Sequence, residues 1–176
     1  VVLVPNSGAW VAGLDTEACV ETYKIREKLE PLALGESIVS MTPETMDRLF
    51  HLVHEIERAT DIEEFLRLDR EFHLSSYEVA GMPTLLSMIE RLWNRTQPYR
   101  RIYASIVAGE DRWIINYEHS LIMEAVRRRD VVDAGHLLES HIRRTRMGLL
   151  ARSTSVRSAL VASSDPSIRY RRRPIM

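Results

Sequence analysis

The chain has 176 residues, which is enough for one substantial domain with its own hydrophobic core. Its 24 basic and 25 acidic residues leave a net charge of −1, so the overall charge points neither to nucleic acid nor to a membrane surface. Cys19 is the only cysteine, so no internal disulfide framework is possible, and no stretch approaches the roughly 18 apolar residues of a membrane span. The start carries no basic leader, so we expect a cytoplasmic protein without a membrane partner.

Residues 1–14, VVLVPNSGAWVAGL, differ in character from the rest of the chain. They are mostly small or β-branched, and Asn6, Ser7 and Gly8 interrupt them, a pattern that predicts two short strands around a turn. An isolated two-stranded hairpin is marginal in water. We therefore expect this hairpin to be the edge of a larger unit.

From Asp15 onward the pattern is helical. Asp15 or Thr16 can cap a first helix, whose end Pro31 and Gly35 should loosen. Its predicted inward residues are apolar and helically spaced: Ala18, Ile25, Leu29 and Leu32. Thr42 and Pro43 open a second helix, for which the predicted stripe is Met46, Leu49, Val53 and Ile56.

Four further helices follow. Asp61 with Glu64 resembles a capping box for the third, and Gly81 separates it from a long fourth helix that contains Pro98. The predicted inward face of the fourth helix is Leu85, Ile89, Leu92, Tyr99 and Ile106. The fifth should run from about residue 111 to 128 and the sixth from about 130 to 151. Short loops predict an all-α antiparallel bundle of six to seven helices over residues 15–151, preceded by the hairpin and followed by a disordered basic tail, 152–176.

Polar residues interrupt the apolar stripes at four positions. Asp69 and His73 are four apart on the third helix, and Asp69 lies where a leucine would be expected. A carboxylate directed into a core is costly unless it is paired. His119 lies on the buried face of the fifth helix and His141 on that of the sixth, at equal sequence distances from the turn near Asp130. In an antiparallel hairpin the two imidazoles should therefore meet.

Together these residues suggest a metal site of three imidazoles and one carboxylate, at Asp69, His73, His119 and His141. Such a donor set suits zinc, nickel, manganese or iron better than calcium or magnesium. The alternatives are that the histidines are merely hydrogen-bonded in the core and that Asp69 is misphased or paired with an arginine. His51, His54 and His136 fit an exposed helix surface better than a site.

These residues also carry a resemblance to a known family. D-x-x-F-H at 69–73, E-H-x-x-I-x-x-A-V-x-x-x-D at 118–130, and His141 resemble the FCD domain, the C-terminal effector-binding domain of FadR-type GntR transcription regulators. Similarity extends over residues 15–151, with Met82 replacing the asparagine of the family's A-G-N-P turn. Residues 4–14 resemble the wing of the winged helix-turn-helix domain that precedes the bundle in these regulators.

The resemblance implies that Asp69, His73, His119 and His141 hold the metal, with zinc as the first expectation. A small carboxylate metabolite would complete the coordination. Arg26 is the first candidate for its bidentate partner, and Arg95 and Tyr99 are weaker candidates for lining the pocket. It also implies a homodimer that binds DNA through an upstream domain. The enzyme alternative uses the same centre to activate water, but Glu118 should point about 100° away and no nucleophile motif is present, so we expect no enzyme.

Overall fold

The computed structural model describes the backbone of residues 2–3, 9–10, 16–107 and 112–163, and the side chains of residues 16–105 and 112–151. These residues form an all-helical bundle with one small strand pair. Its helices are α1 (Thr16–Ser40), α2 (Pro43–Arg58), α3 (Ile62–Tyr77), α4 (Pro83–Val107), α5 (Arg112–Arg127) and α6 (Val131–Ser163). The predicted fold class is confirmed. Within this described part, no helix combines the length and the apolar character needed to cross a membrane.

The two short strands lie where the sequence predicts them. β1 (Val2–Leu3) and β2 (Ala9–Trp10) are antiparallel, with Val2 opposite Trp10 and Leu3 opposite Ala9. The turn predicted at Asn6 to Gly8 and the possible cap at Asp15 lie outside the described residues. The assignment of residues 1–14 to a wing therefore stays a prediction.

Helix starts follow their capping residues. Thr42 accepts a hydrogen bond from the backbone N–H of Thr45 at 3.3 Å, with Pro43 in the first turn, and α2 begins there. Asp61 accepts one from the backbone N–H of Glu64 at 3.1 Å, and α3 begins there. An unpaired N–H at a helix start is costly, so each cap fixes the first residue of its helix.

The core lies between α1, α4 and α6 on one side and α2, α3 and α5 on the other, with α1 packed along most of α6. Of the stripe predicted for α2, Leu49, Val53 and Ile56 are buried there and Met46 is half-buried. On α5, Ile115 and Ile122 are buried beside His119. Trp93, Tyr23, Tyr77 and Phe72 are the largest side chains that are almost completely buried. These aromatic rings surround the level at which the polar residues of α3, α5 and α6 meet.

α1 differs from its prediction in both length and face. It continues through Pro31 to Ser40, and the predicted inward residues Ile25 and Leu32 are exposed. The buried face instead carries charged residues, which are paired inside the protein. Arg26 Nε contacts Glu30 Oε1 at 2.6 Å, and Glu27 accepts from Arg146 at 2.6 Å. A hydrophobic pattern cannot identify a face on which ion pairs replace apolar side chains.

Gly35 does not end α1 but lies where α1 packs against α6. A Cβ on Gly35 would lie 3.0 Å from Val131 Cγ1, so the glycine allows α1 and the start of α6 to approach closely. The turn before α6 reinforces this contact, because the Arg129 guanidinium donates to the carbonyls of Ile38 at 2.6 Å and Met41 at 2.8 Å. Arg129 itself adopts a positive φ of 55°. The end of α1 is thereby tied to the α5–α6 turn.

α6 is longer than predicted. Its backbone is helical to Ser163, whereas the sequence pattern suggested an end near Ala151. The prediction of a disordered tail over residues 152–176 is wrong for residues 152–163, which are helical, and residues 164–176 lie outside the described part. The sequence pattern did not predict a helix over residues 152–163 because the apolar residues of this Ser/Arg-rich segment lack a clear helical periodicity.

Candidate metal centre

Four buried side chains from three helices converge in the middle of the bundle. Asp69 and His73 come from α3, His119 from α5 and His141 from α6. One potential ligand atom of each lies within 4.8 Å of those of the other three. All four side chains are buried, with residue exposures between 0 and 7%. The sequence predicted this set, and the structure brings all of it together.

Local geometry explains the convergence. Asp69 and His73 are one helical turn apart, and the Asp69 Oδ1 to His73 Nε2 distance is 3.8 Å. His119 and His141 lie at the same height of the α5–α6 hairpin, with ring centroids 4.8 Å apart. The ring of His73 stacks on that of His141 at 5.2 Å. The turn at Asp130, inferred from sequence, therefore places both helices in the correct register.

The donor set fits a metal ion on a direct structural criterion. Among the described residues, neither ring nitrogen of His119 has a hydrogen-bond partner, although the residue is completely buried. Its Nε2 lies 3.3 Å from Asp69 Oδ1. A buried imidazole that makes no hydrogen bond is costly, and a metal held together with Asp69 would satisfy it.

Contacts at Nδ1 fix the orientation of two of the imidazole rings. His141 Nδ1 lies 2.9 Å from Glu118 Oε2, and His73 Nδ1 lies 3.3 Å from the Tyr77 hydroxyl. Each contact engages Nδ1 and leaves Nε2 directed towards the centre. Carboxylates and hydroxyls that fix a ring in this way are the usual outer partners of metal-binding histidines.

Glu118 is a residue whose role the sequence interpretation missed. It was expected to point away from the centre, which is correct, but it reaches His141 on the neighbouring helix. Its other oxygen accepts from Arg144 Nε at 2.5 Å. Burial would raise the pKa of Glu118, but hydrogen bonds from His141 and Arg144 hold that pKa below its usual value. Of these two neighbours in sequence, His119 therefore points into the cluster, and Glu118 points sideways to His141 on α6.

Behind His73 a buried network leads to α1. The Tyr77 hydroxyl donates to Glu30 Oε2 at 2.8 Å, and Glu30 Oε1 accepts from Arg26 Nε at 2.6 Å. Arg26 Nη1 also donates to Thr96 Oγ1 at 3.2 Å. A carboxylate with no exposed surface is tolerated here because both of its oxygens are paired. The polar face of α1 is therefore part of the support of the centre.

The protonation states suit metal binding. Burial lowers the pKa of His73 well below its usual value and lowers that of His119 as well, so both imidazoles are neutral at pH 7. Burial would raise the pKa of Asp69, but the Arg100 guanidinium and His119 outweigh it and hold that pKa well below the usual range. Neutral imidazoles and an ionised carboxylate are the forms that ligate metals.

Arg100 is the protein partner that Asp69 required. Its Nη2 contacts Asp69 Oδ2, which leaves Oδ1 facing the histidines. Within the described residues its Nη1 has no hydrogen-bond partner, although Arg100 is only 6% exposed. The pairing alternative considered from sequence is thus present together with the histidine cluster.

The predicted inward face of α4 is confirmed at Leu85 and Ile89, which are buried, but Leu92 and Tyr99 are only half-buried and the side chain of Ile106 lies outside the described residues. Arg100 was missed because Trp93, Thr96 and Arg100 are the buried residues farther along this helix.

A small cavity opens beside the centre. Its volume is about 40 Å³, and Asp69, His73 and His141 line it together with Arg26, Arg100 and Trp93. Arg26 therefore lies where the sequence placed it. Arg95 is exposed and Tyr99 half-buried, and neither lines the cavity. The residues of α4 that do line the cavity include Trp93 and Arg100.

The remaining histidines are on the surface. His51 and His54 are exposed on α2, 3.9 Å from Glu55 and 4.0 Å from Glu57, and His136 is exposed on α6. This placement agrees with the sequence interpretation.

The described residues combine an all-helical bundle with a buried cluster of three histidines and one aspartate, next to a cavity that two arginines help to line. The family model of the FCD domain matches residues 21–144. The chain belongs to the FCD domain family.

Known proteins similar to the chain are named as transcriptional regulators. The HTH-type transcriptional regulator McbR of Escherichia coli strain K12 is 31% identical over 122 residues, which cover 67% of this chain and 55% of McbR. The chain thus spans about half the length of this curated relative. The solved structure of E. coli McbR/YncC matches 75% of this chain and 67% of its own, with a TM-score of 0.69 and 26% identity.

A second solved structure supports the fold. A transcriptional regulator of the GntR family from Pseudomonas syringae pv. tomato strain DC3000 matches 90% of this chain and 66% of its own length. Its TM-score is 0.72 at 24% identity.

Proposed function

We propose that this chain is the effector-sensing part of a GntR-type transcriptional regulator, in which a divalent metal and a small carboxylate bind together in the bundle. The observation that carries the proposal is the buried cluster of Asp69, His73, His119 and His141, in which neither ring nitrogen of His119 makes a hydrogen bond within the described residues. A cavity with two guanidinium groups lies directly beside it. Metal and anion would therefore bind next to each other.

Zinc is the metal we propose first, with nickel, manganese and iron as alternatives. Three nitrogen donors and one carboxylate oxygen suit each of these ions, and zinc accepts this set without a redox or strong geometric requirement. When bound, the metal would supply a positive charge and open coordination positions for an anionic ligand. His73, His119 and His141 would provide nitrogen ligands, and Asp69 would contribute the oxygen.

We assign the carboxylate of the effector to Arg100 before Arg26. Both guanidinium groups line the cavity, but Arg26 is already engaged by Glu30 and Thr96. Arg100 is held by Asp69 through Nη2, and its buried Nη1 has no hydrogen-bond partner in the described part of the chain. A guanidinium held in this way is preorganised for a carboxylate.

Regulation would proceed through α1. This helix follows the N-terminal strand pair in sequence and contributes Arg26 and Glu30 to the network behind His73. We propose that an upstream helix-turn-helix domain binds DNA as part of a homodimer in the cytoplasm, and that effector binding shifts the placement of α1. Such a shift requires the effector to bind the two arrangements with different affinity.

The enzyme alternative is less well supported. Metal-assisted hydrolysis requires a free acid or base beside the metal. Glu118, the carboxylate next to His119 in sequence, is engaged by His141 and Arg144. The named relatives are regulators, which also favours a sensor over a catalyst.

Thermal unfolding of the purified chain tests the proposal. Zinc-loaded and chelator-stripped samples are compared with and without millimolar acetate or glycolate, after circular dichroism has verified that each is folded. We expect these acids to raise the Tm only when zinc is present, because ligand binding to the folded state stabilises it.

Two variants of α4 locate the anion. Arg100→Gln should abolish the carboxylate-induced shift while zinc still stabilises the protein, and Arg95→Gln, an exposed arginine on the same helix, should behave as wild type. Equal shifts in stripped and loaded protein, or an undiminished shift in Arg100→Gln, would contradict the proposed arrangement.

A further inference from the structure

α6 extends farther than α1, the helix along which it is packed. The two helices are antiparallel neighbours, and Lys28 Nζ of α1 lies 2.6 Å from Glu139 Oε1 of α6. At this register Thr16, where α1 begins, is level with about residue 151 of α6. From that level α6 continues to Ser163, which adds about 18 Å at a rise of about 1.5 Å per residue.

The other two helices that pack on α6 end near the same level. The register of the α5–α6 hairpin places Arg112, where α5 begins, beside about residue 148. α4 approaches α6 at Gly148, where an added Cβ would lie 2.6 Å from Tyr103 Cε2, and α4 is described to Val107, about one turn farther on. The backbone of residues 152–163 therefore projects beyond α1, α4 and α5.

This projection lies at the end of the bundle where the chain enters it. The strand pair, Val2–Leu3 with Ala9–Trp10, precedes Thr16 in sequence. A domain upstream of the strand pair is therefore joined to the bundle at the end beyond which α6 projects. Under the proposed function this upstream domain binds DNA, so α6 projects on the DNA side of the bundle.

The near-neutral charge of the chain conceals an uneven division between residues 152–176, here called the basic arm, and the remainder. The arm holds six of the 24 basic residues and one of the 25 acidic residues, so its net charge is +5, whereas residues 1–151 carry −6. Its six basic residues are all arginines: Arg152, Arg157, Arg169, Arg171, Arg172 and Arg173. Arginines bind phosphate oxygens through paired hydrogen bonds, and such runs are typical of arms that bind nucleic acid.

We infer that the basic arm contacts the phosphate backbone of DNA next to the site of the upstream domain, as a second DNA-binding element. An acidic bundle repels DNA, and an arm of opposite charge on the DNA side offsets this repulsion and strengthens binding without reading the sequence. The inference rests on the proposed function, because that function places DNA at this end of the bundle. It adds a DNA contact that belongs to the sensing chain itself.

Fluorescence anisotropy of the purified full chain with a short labelled DNA duplex tests the inference. Residues 1–151 are acidic, so DNA binding by this chain would come from the arm. If each of the six arginines neutralises one phosphate, the affinity should fall about a thousandfold as the salt concentration rises from about 50 to about 200 mM.

Two variants with the same net charge locate the binding, after circular dichroism has verified that each is folded. The arm variant combines four changes: Arg169→Gln, Arg171→Gln, Arg172→Gln and Arg173→Gln. The control variant combines four changes at exposed arginines of the bundle: Arg58→Gln, Arg91→Gln, Arg95→Gln and Arg143→Gln. The arm variant should bind DNA at least about tenfold more weakly at about 50 mM salt and keep about one third of the salt dependence, whereas the control should stay within about twofold of wild type.

No binding of wild type to DNA at about 50 mM salt would overturn the inference. An equal loss in the two variants would also overturn it, because net charge rather than the arm would then account for the binding. Tighter binding to phosphatidylglycerol vesicles than to DNA at the same salt concentration would assign the arm to a lipid surface instead. The zinc-dependent Tm shift of the proposed function does not involve the arm and should persist in the arm variant, so a failure of the proposed function is recognised separately.

Discussion

The described part of the chain contains two groups of closely spaced histidines and carboxylates, one exposed on α2 and one buried in the core. On α2, His51 and His54 lie near Glu55 and Glu57, but their side chains are 74% and 70% exposed. In the core, Asp69 and three histidines are nearly inaccessible and come from three different helices. The comparison shows that buried donors from separate helices converge to within coordination range of one point, whereas donors at helical spacing on one exposed surface remain solvated.

The same contrast holds for ion pairs. Lys28 to Glu139 and Arg26 to Glu30 have equal N–O distances of 2.6 Å, but the first pair lies on the surface and the second is buried behind His73. When a surface ion pair is broken, water solvates both charges, so little stability is lost. A buried pair becomes an uncompensated charge when one partner is removed. Buried polar groups should therefore respond to substitution far more than their exposed counterparts.

The largest expected effect is on stability. Glu30→Ala should lower the free energy of unfolding by about 3–5 kcal/mol, because it leaves the Arg26 guanidinium unpaired in the core. Glu139→Ala, the matched exposed change, should cost less than about 1 kcal/mol. Urea denaturation followed by circular dichroism measures both. Similar losses for the two variants would remove the distinction between buried and exposed pairs.

A smaller effect is expected on metal affinity. Glu118→Gln keeps the size of the side chain but weakens its hydrogen bond to His141 Nδ1, so zinc affinity should fall about 10- to 100-fold. Glu57→Gln, beside the exposed His54, should leave it unchanged. Competition with a chromogenic chelator gives both affinities. An unchanged affinity in Glu118→Gln would show that His141 needs no carboxylate to orient it.

The pH dependence of the chelator-treated protein is the third test. Burial lowers the pKa of His73 well below its usual value, so the unfolded chain takes up a proton there that the folded protein excludes. The folded protein is therefore most stable above the ordinary histidine pKa of about 6.5, and its free energy of unfolding declines as the pH falls below that value. His119, whose pKa burial also lowers, acts in the same direction.

For Asp69 the pKa is also held well below its usual value, so its contribution is lost only at still lower pH, below about 4. Urea denaturation at pH 7.5 and 5.5 provides the measurement. His73→Gln should flatten the decline, while the exposed His51→Gln should keep it. A decline of wild-type steepness in His73→Gln would assign the pH dependence to other groups.

The sequence predicts those parts of the molecule in which helical spacing and capping agree. The caps at Thr42 and Asp61 and the α5–α6 register around Asp130 are of this kind, and the register suffices to bring His119 next to His141. These features depend on neighbours in sequence or on one short turn. Local physical rules therefore determine them.

The sequence does not predict faces that are buried through polar partners. On α1 the charged residues face inward because Glu27 is paired with Arg146 and Glu30 with Arg26. On α4 Arg100 is buried because Asp69 compensates it. The partner in such a pair can lie on a distant part of the chain, and a periodicity of apolar residues contains no information about it.

The most direct test of the central claim is the metal content of the purified protein, measured by elemental analysis after expression with zinc. We predict about one equivalent of transition metal in wild type and in the surface variant His51→Ala/His54→Ala, and none in Asp69→Ala/His141→Ala. Absence of metal from wild type, or equal retention by a folded Asp69→Ala/His141→Ala variant, would contradict the account.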